Sequence, residues 1–223
     1  MIVLGCPRFA LCNELASELL ANQSGLTAKV DVTKLKYNNN IVIDSIQNFC
    51  KLIKFDYNTL MKMAHKTIDD GCLLKYKGFN FILYNAKTKY KKRINWTIAH
   101  EVGHIYLGHR ADGDQEEVEA HFFAAQLLMP HYTIHMITEH KGNITKDDIK
   151  RLFGVSTTAA EKRLQTIDSL TYHSPTLYDD VIWLETKEEI MDYLDRDGYV
   201  FEVIKDENDM ILRSLEYSFL YGE

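Results

Sequence analysis

Residues 97–109 read Thr-Ile-Ala-His-Glu-Val-Gly-His-Ile-Tyr-Leu-Gly-His, and this stretch limits the possible folds more than any other. As a helix it sets His100 and His104 four residues apart, on one face and about one turn from each other, with Glu101 displaced around the helix between them. Two imidazoles so placed make half of a metal site. A tetrahedral zinc in a catalytic site takes three protein ligands and keeps one position open. The pattern His-Glu-x-x-His also arises by chance, so the third ligand decides whether this helix holds a metal.

One continuation places a third His ten residues beyond the first, after a Gly at seven. Those positions hold Arg110 and Leu107, so that three-His class is excluded. His109 is nine residues beyond His100, half a turn away on the helix and past the Gly108 stop, and is expected to be a surface or loop histidine. The other continuation draws a Glu from a following helix. The segment DQEEVEAHFFAAQLLMP offers Glu116, Glu117 and Glu119. Glu117 shares its helical face with Ala120, His121, Ala124, Ala125 and Leu128, mostly small side chains that permit close approach to the His100 helix. Glu119 shares its face with the bulkier Phe122, Phe123 and Gln126. Asp114-x-x-Glu117 also has the spacing of a capping box, a competing role for the same residue. With the motif helix present, the balance favours Glu117 as ligand.

The rest of the chain supplies the frame. Its 223 residues are 46% hydrophobic, enough for a sizeable core. A formal charge of −6 argues against a surface built to neutralise phosphates, so direct nucleic-acid binding is not expected. Cys6, Cys12, Cys50 and Cys72 form no C-x-x-C pair, and Arg8 and Glu14 interrupt the apolar run near the N-terminus. The expectation is free thiols in a reducing cytoplasm. No apolar stretch reaches the ~18 residues of a membrane span.

Apolar spacing predicts a helix over the segment FALCNELASELLANQSG, ending at Gly25, and a second over DSIQNFCKLI opened by Asp44 as cap. Residues 54–85 read as β-rich, with Lys77-Gly78 as a tight turn. The basic run 86–93 reads as a solvated loop. Helices follow at 95–107, 115–128, 131–140, 145–153 and 157–166. Residues 169–180 resemble a linker. Thr186 and Glu189 then suggest a capping box for a helix to about Arg196, followed by a β-hairpin. The expected fold is α+β and zincin-like, mostly helical, with a small sheet before the motif helix and a small C-terminal α/β appendage. The expected organisation is a metallopeptidase-like domain over 1–135, a helical region over 136–170 packed on it, and an extension over 176–223.

The strings RINWTIAHEVGHIYLGH, EEVEAHFFAAQLLMP and IKRLFGVSTTAAEKRL, in this order, resemble the ImmA/IrrE family of bacterial and phage metallopeptidases. The likeness covers roughly residues 79 to 166. It implies a Zn2+-dependent endopeptidase of gluzincin type that acts on a partner protein, usually a helix-turn-helix repressor, to derepress stress or mobile-element genes. Carried over by position, the metal ligands fall on His100, His104 and Glu117 and the catalytic glutamate on Glu101. Where the family has Asn four residues after the ligand Glu, this chain has His121, expected to support a ligand from outside the metal sphere. His131, Tyr132 and His135 are candidate oxyanion donors by position. By analogy with zincins in general, GFNFILYN is expected to include the strand that receives an extended peptide. Two rivals stand beside this reading: a zinc-holding sensor or anti-repressor that binds without cleaving, and a DNA-binding module built on the helix-turn-helix spacing of residues 145–166.

Overall fold

The computed structural model describes residues 6–38, 40–54, 56–64, 70–110, 113–169 and 175–196. The fold is mostly helical with one three-stranded sheet, the α+β architecture expected from the sequence. Helix α1 (Phe9–Ala21) leads through a 3-10 turn (Val32–Lys34) to strand β1 (Ile41–Ser45), then α2 (Ile46–Ile53) and α3 (Tyr57–Ala64). Strands β2 (Gly71–Tyr76) and β3 (Phe79–Tyr84) form a hairpin, followed by α4 (Lys91–Tyr106), α5 (Asp114–Leu128), α6 (His131–Lys141), α7 (Lys146–Leu152) and α8 (Thr157–Ser169). A last helix, α9, covers 177–196. The expected C-terminal β-hairpin lies outside the described residues.

The sheet order is β1-β3-β2, with β1 parallel and β2 antiparallel to β3. Lys77 and Gly78 both take positive φ, 48° and 81°, the backbone of a two-residue hairpin whose twist matches the strands it joins. Alternation along β3 assigns its two faces: Ile82 enters the main core, while Leu83 joins Ile46, Leu60 and Cys72 in a smaller cluster on the other side. Three expectations fail in this region. Asp44 does not cap α2: it ends β1, and Ser45 caps instead, its hydroxyl accepting from the Asn48 amide. The segment called β-rich from residue 54 begins with a helix, α3. The strand expected to receive a peptide, β3, is central and paired on both sides, so among the described residues the open edges belong to β1 and β2.

The main core joins α1, α4, α5, α6, α7, α8 and α9 around Leu20, Ile98, Val102, Phe123, Leu127 and Ile134. A buried polar seam ties four of these helices together. Arg163 Nη2 of α8 donates to Gln126 Oε1 of α5 at 2.5 Å, Gln126 Nε2 donates to Ser17 Oγ of α1 at 3.3 Å, and Ser17 donates to Asp179 of α9 at 3.0 Å. Helix α9 starts ten residues earlier than the sequence suggested. Thr176 and Asp179 exchange the capping bonds, which puts Thr186 mid-helix, where its hydroxyl turns back to the Ile182 carbonyl. The residues 177–180 that read as linker are helical because Ile182, Trp183 and Ile190 need that register to reach the core.

The basic run also differs from its expected form. Lys91, Lys92 and Arg93 build the first turn of α4, where cations oppose the helix dipole. Lys92 Nζ reaches the Val155 carbonyl at 2.9 Å and Arg93 pairs with Asp70 at 2.6 Å. No helix among the described residues is long and apolar enough to cross a membrane.

Candidate metal centre

Helix α4 places His100 and His104 on one face with their Nε2 atoms 3.0 Å apart. Helix α5 meets α4 at Gly103. A Cβ there would lie 3.2 Å from the Cα and carbonyl oxygen of Ala120 and 3.2 Å from Phe123 Cβ, so the two backbones touch where any side chain would separate them. That approach brings Glu117, one turn before Ala120, across to both histidines. Its Oε2 is 3.4 Å from His100 Nε2 and its Oε1 is 3.5 Å from His104 Nε2. Each histidine thus faces its own oxygen of the Glu117 carboxylate; ligands bound to tetrahedral zinc at about 2.0–2.2 Å stand about 3.4 Å from one another, so the two imidazoles and the carboxylate are gathered at the spacing such an ion needs.

The competing role of Glu117 in a capping box does not arise. Gly113 is the N-cap of α5 and Asp114 is already helical, so Asp114-x-x-Glu117 falls one residue out of capping register. Glu101, next to His100 along α4, is buried. His121 is one turn after Glu117, with its ring 4.4 Å from that of His100 and 6.2 Å from Trp96. One ligand atom each from His100, Glu117 and His121 lie within 4.8 Å of one another. His121 therefore stands within reach of an ion as well as against the ring of a ligand. Desolvation lowers its pKa, with Lys162 adding to the effect and Glu117 opposing it.

His109 lies in the loop after Gly108, as expected, but not on the surface. It is buried, 6% exposed, and its Nδ1 is 3.0 Å from His104 Nδ1. The cause is the way α4 ends. Gly108, at φ 69°, lets the chain reverse, so that the His109 amide bonds to the His104 carbonyl at 3.0 Å and the Gly108 amide to Ile105 at 3.1 Å. This Schellman arrangement folds the residue just past the glycine back onto the last turn. Half a turn of straight helix was the wrong frame for a residue beyond the cap. Lys75 of β2 secures the same loop through its bond to the His109 carbonyl at 2.9 Å.

Behind His109 stands Glu119, the carboxylate disfavoured as a ligand. Its side chain is fully buried, and His109 Nε2 lies 3.0 Å from its Oε2. Arg8 closes the chain from the start of α1, with its backbone amide, Nε and Nη2 all bonded to that carboxylate, Nη2 at 2.6 Å. Gln115 adds a further donor at 2.9 Å. Burial works against the charge, but the bonds from Arg8, Gln115 and His109 outweigh it and hold the Glu119 carboxyl far below the usual carboxylate range. The same pairing raises the Arg8 pKa.

One proton order that satisfies this network has Glu119 accepting from His109 Nε2 and His109 Nδ1 accepting from His104 Nδ1, which leaves the His104 Nε2 lone pair toward Glu117 and His100. A histidine so oriented is the usual partner of a metal. Arg8 is 111 residues from Glu119, and nothing in the sequence pairs them; the Gly108 stop was the one signal that pointed to His109.

The three candidate oxyanion donors occupy the first turn and a half of α6. Tyr132 stacks on His135 with ring centroids 6.4 Å apart, and its pKa is raised by burial and by Asp180 of α9, so it faces that helix. The four cysteines are free thiols, Cys12 and Cys72 in separate apolar clusters, and burial pushes the Cys12 thiol up to about 12.

Residues 54–165 match the family model of the IrrE N-terminal-like domain, a peptidase family. The match spans half of the 223 residues and takes in α3, β2, β3, α4, α5, α6, α7 and most of α8. The chain belongs to this metallopeptidase family. No curated protein matches the chain.

Proposed function

We propose that the protein is a zinc-dependent endopeptidase that cleaves a partner protein, with His100, His104 and Glu117 as metal ligands and Glu101 as general base. The observation that carries this reading is the gathering of the two imidazoles, 3.0 Å apart at Nε2, with one oxygen of the Glu117 carboxylate 3.4 Å from His100 and the other 3.5 Å from His104, built across two helices whose backbones touch. Zinc held there by His100, His104 and Glu117 would supply Lewis acidity and would make a water molecule acidic enough to lose a proton near neutral pH. Glu101 takes a proton at its carboxylate and returns it to the departing amine. His109, Glu119 and Arg8 hold the His104 ring in the orientation that presents Nε2. His121 supports His100 by packing, outside the metal sphere. The edge strand β2, packed against α4 and bonded through Lys75 to the His109 carbonyl, is the assigned place for an extended substrate segment.

The substrate class we assign, from the family resemblance, is a helix-turn-helix transcriptional repressor, whose cleavage derepresses stress or mobile-element genes. The chain's own helix-turn-helix spacing at α7 and α8 does not make a DNA reader. Lys146 pairs with Glu161 at 2.8 Å, Lys150 pairs with Asp147 at 2.5 Å, and Arg163 is buried, so three of the five basic residues of that segment present no free charge on an outer face to a nucleic-acid backbone. The test is to incubate zinc-loaded wild-type and Glu101→Gln protein with a repressor encoded beside its gene and to follow the repressor's intact mass. Cleavage by the wild type with a loss of about 10²-fold or more in the variant supports the reading, since that is the scale of a general base. Equal cleavage by both removes Glu101 from the chemistry. No cleavage by either, with equal derepression in cells, establishes the binding-only rival.

A further inference from the structure

Beside the metal centre, between α4, α5 and α8, lies a cavity of about 640 Å3. This is within the ~300–1,000 Å3 of small-molecule sites and several times the room one side chain requires. Its walls are of two kinds. Phe9, Tyr90, Trp96, Val118 and Phe122 give it an aromatic and apolar body. Lys92, Arg93, Lys162 and Arg163 give it four cations, and among the described residues that line it there is no Asp or Glu. The chain as a whole carries more acids than bases, 32 against 26, so this concentration of one sign runs against its composition.

The four cations are not equally engaged. Arg93 is paired with Asp70, and Lys92 donates to a backbone carbonyl. Lys162 is exposed and has no ion pair among the described residues. Arg163 is 1% exposed, and its one bond is from Nη2 to the neutral Gln126. Its Nε and Nη1 have no hydrogen-bond partner among the described residues. Burying a guanidinium without a counter-ion is costly, and the group keeps its proton at neutral pH, so an anion brought into the cavity would meet a deficit that the described residues leave open. Ser156 and Thr158, at the start of α8 on the same wall, add hydroxyl groups.

We propose that this cavity binds a small molecule with a flat apolar body and one anionic group, a carboxylate or a phosphate. The anion lies toward Lys162 and Arg163, with the body against Trp96 and Phe122. Arginine suits both anions through its fork of donors, and the aromatic wall suits a ring that stacks. Trp96 is 6.2 Å from His121, itself 4.4 Å from His100, so an occupant borders the metal centre. The inference does not depend on the peptidase reading, because binding is measurable without metal and without cleavage.

The test uses the full chain, metal-free, and two matched pairs of probes: adenosine 5′-monophosphate against adenosine, and N-acetylphenylalanine against its amide. Each pair keeps the body and removes the charge, and comparing the pairs separates phosphate from carboxylate. Titration calorimetry gives the affinity, and tryptophan fluorescence locates the ligand, because Trp96 lines the cavity while Trp183 lies in the main core. In at least one pair, the charged member binds about 10-fold or more tightly than its neutral partner, the scale of one charge-assisted hydrogen bond. Lys162→Glu, at an exposed position that leaves the fold intact by circular dichroism, weakens that binding by at least a similar factor, and Trp96→Phe removes the fluorescence response. The proposal is overturned if neither charged probe is preferred, or if folded Lys162→Glu binds the preferred probe as well as the wild type does.

Discussion

Replacing Glu119 by Gln keeps the size of the side chain and removes the charge on which the Arg8–Glu119–His109 chain depends. Arg8, Gln115 and His109 all direct donors at its two oxygens. An amide offers one accepting oxygen and turns an NH2 toward donors at the other position, whichever way it is placed. Breaking a buried ion pair costs about 3–5 kcal/mol. The Arg8 side chain is 45% exposed and can turn to water, which reduces the figure, while His109 is 3% exposed and cannot. The expected loss is about 3 kcal/mol, or about 6–12 °C in Tm for a chain of this length. The effect also depends on pH in a defined direction. The folded carboxyl titrates below its ordinary value of 4.5, so its stabilisation is complete above that pH and fades as the pH falls below it. Glutamine does not titrate, so the gap between wild type and variant narrows from about pH 5 to about pH 3. Thermal unfolding of both proteins without metal, across that range, is the assay. A variant within 2 °C of wild type at pH 7, or a gap that is constant with pH, refutes the reasoning.

Two further outcomes follow from the same geometry. His109→Ala folds but binds zinc about 10–100-fold more weakly in competition with a chelator, because the His104 ring loses the group that orients it; unchanged affinity would leave His109 a packing residue only. Gly103→Ala forces a Cβ to 3.2 Å from the Ala120 backbone, which does not yield as a side chain does, and costs about 1–3 kcal/mol in thermal unfolding, with zinc affinity falling as α5 is pushed from α4.

The motif helix, the close approach of α5 and the hairpin turn at Lys77-Gly78 were legible because each follows from local rules: a four-residue spacing, a face of small residues, and a pair that tolerates positive φ. The small face at Ala120 and Ala124 is what brings Glu117, rather than Glu119, to the two histidines. What the sequence hid depends on contacts between distant segments. Strand β1 is short and parallel to a strand some forty residues later, so no turn announces it. The apolar residues of the segment before Thr186 gave no sign that the core would extend α9 ten residues toward its N-terminus. His109 was placed past the Gly108 stop, but the sequence did not show that the left-handed glycine turns the chain back and buries it against the last turn of α4.

The measurement that bears most directly on the account is the zinc retained after exhaustive dialysis by wild-type, Glu101→Gln and Glu117→Ala protein, with Glu119→Ala as the control for a neighbouring carboxylate. Assignment of His100, His104 and Glu117 as the ligands and Glu101 as base predicts one zinc per chain in the wild type and in Glu101→Gln. It predicts a loss of zinc in Glu117→Ala that is far greater than in Glu119→Ala. Full retention by Glu117→Ala, or loss of the metal from Glu101→Gln, would contradict it.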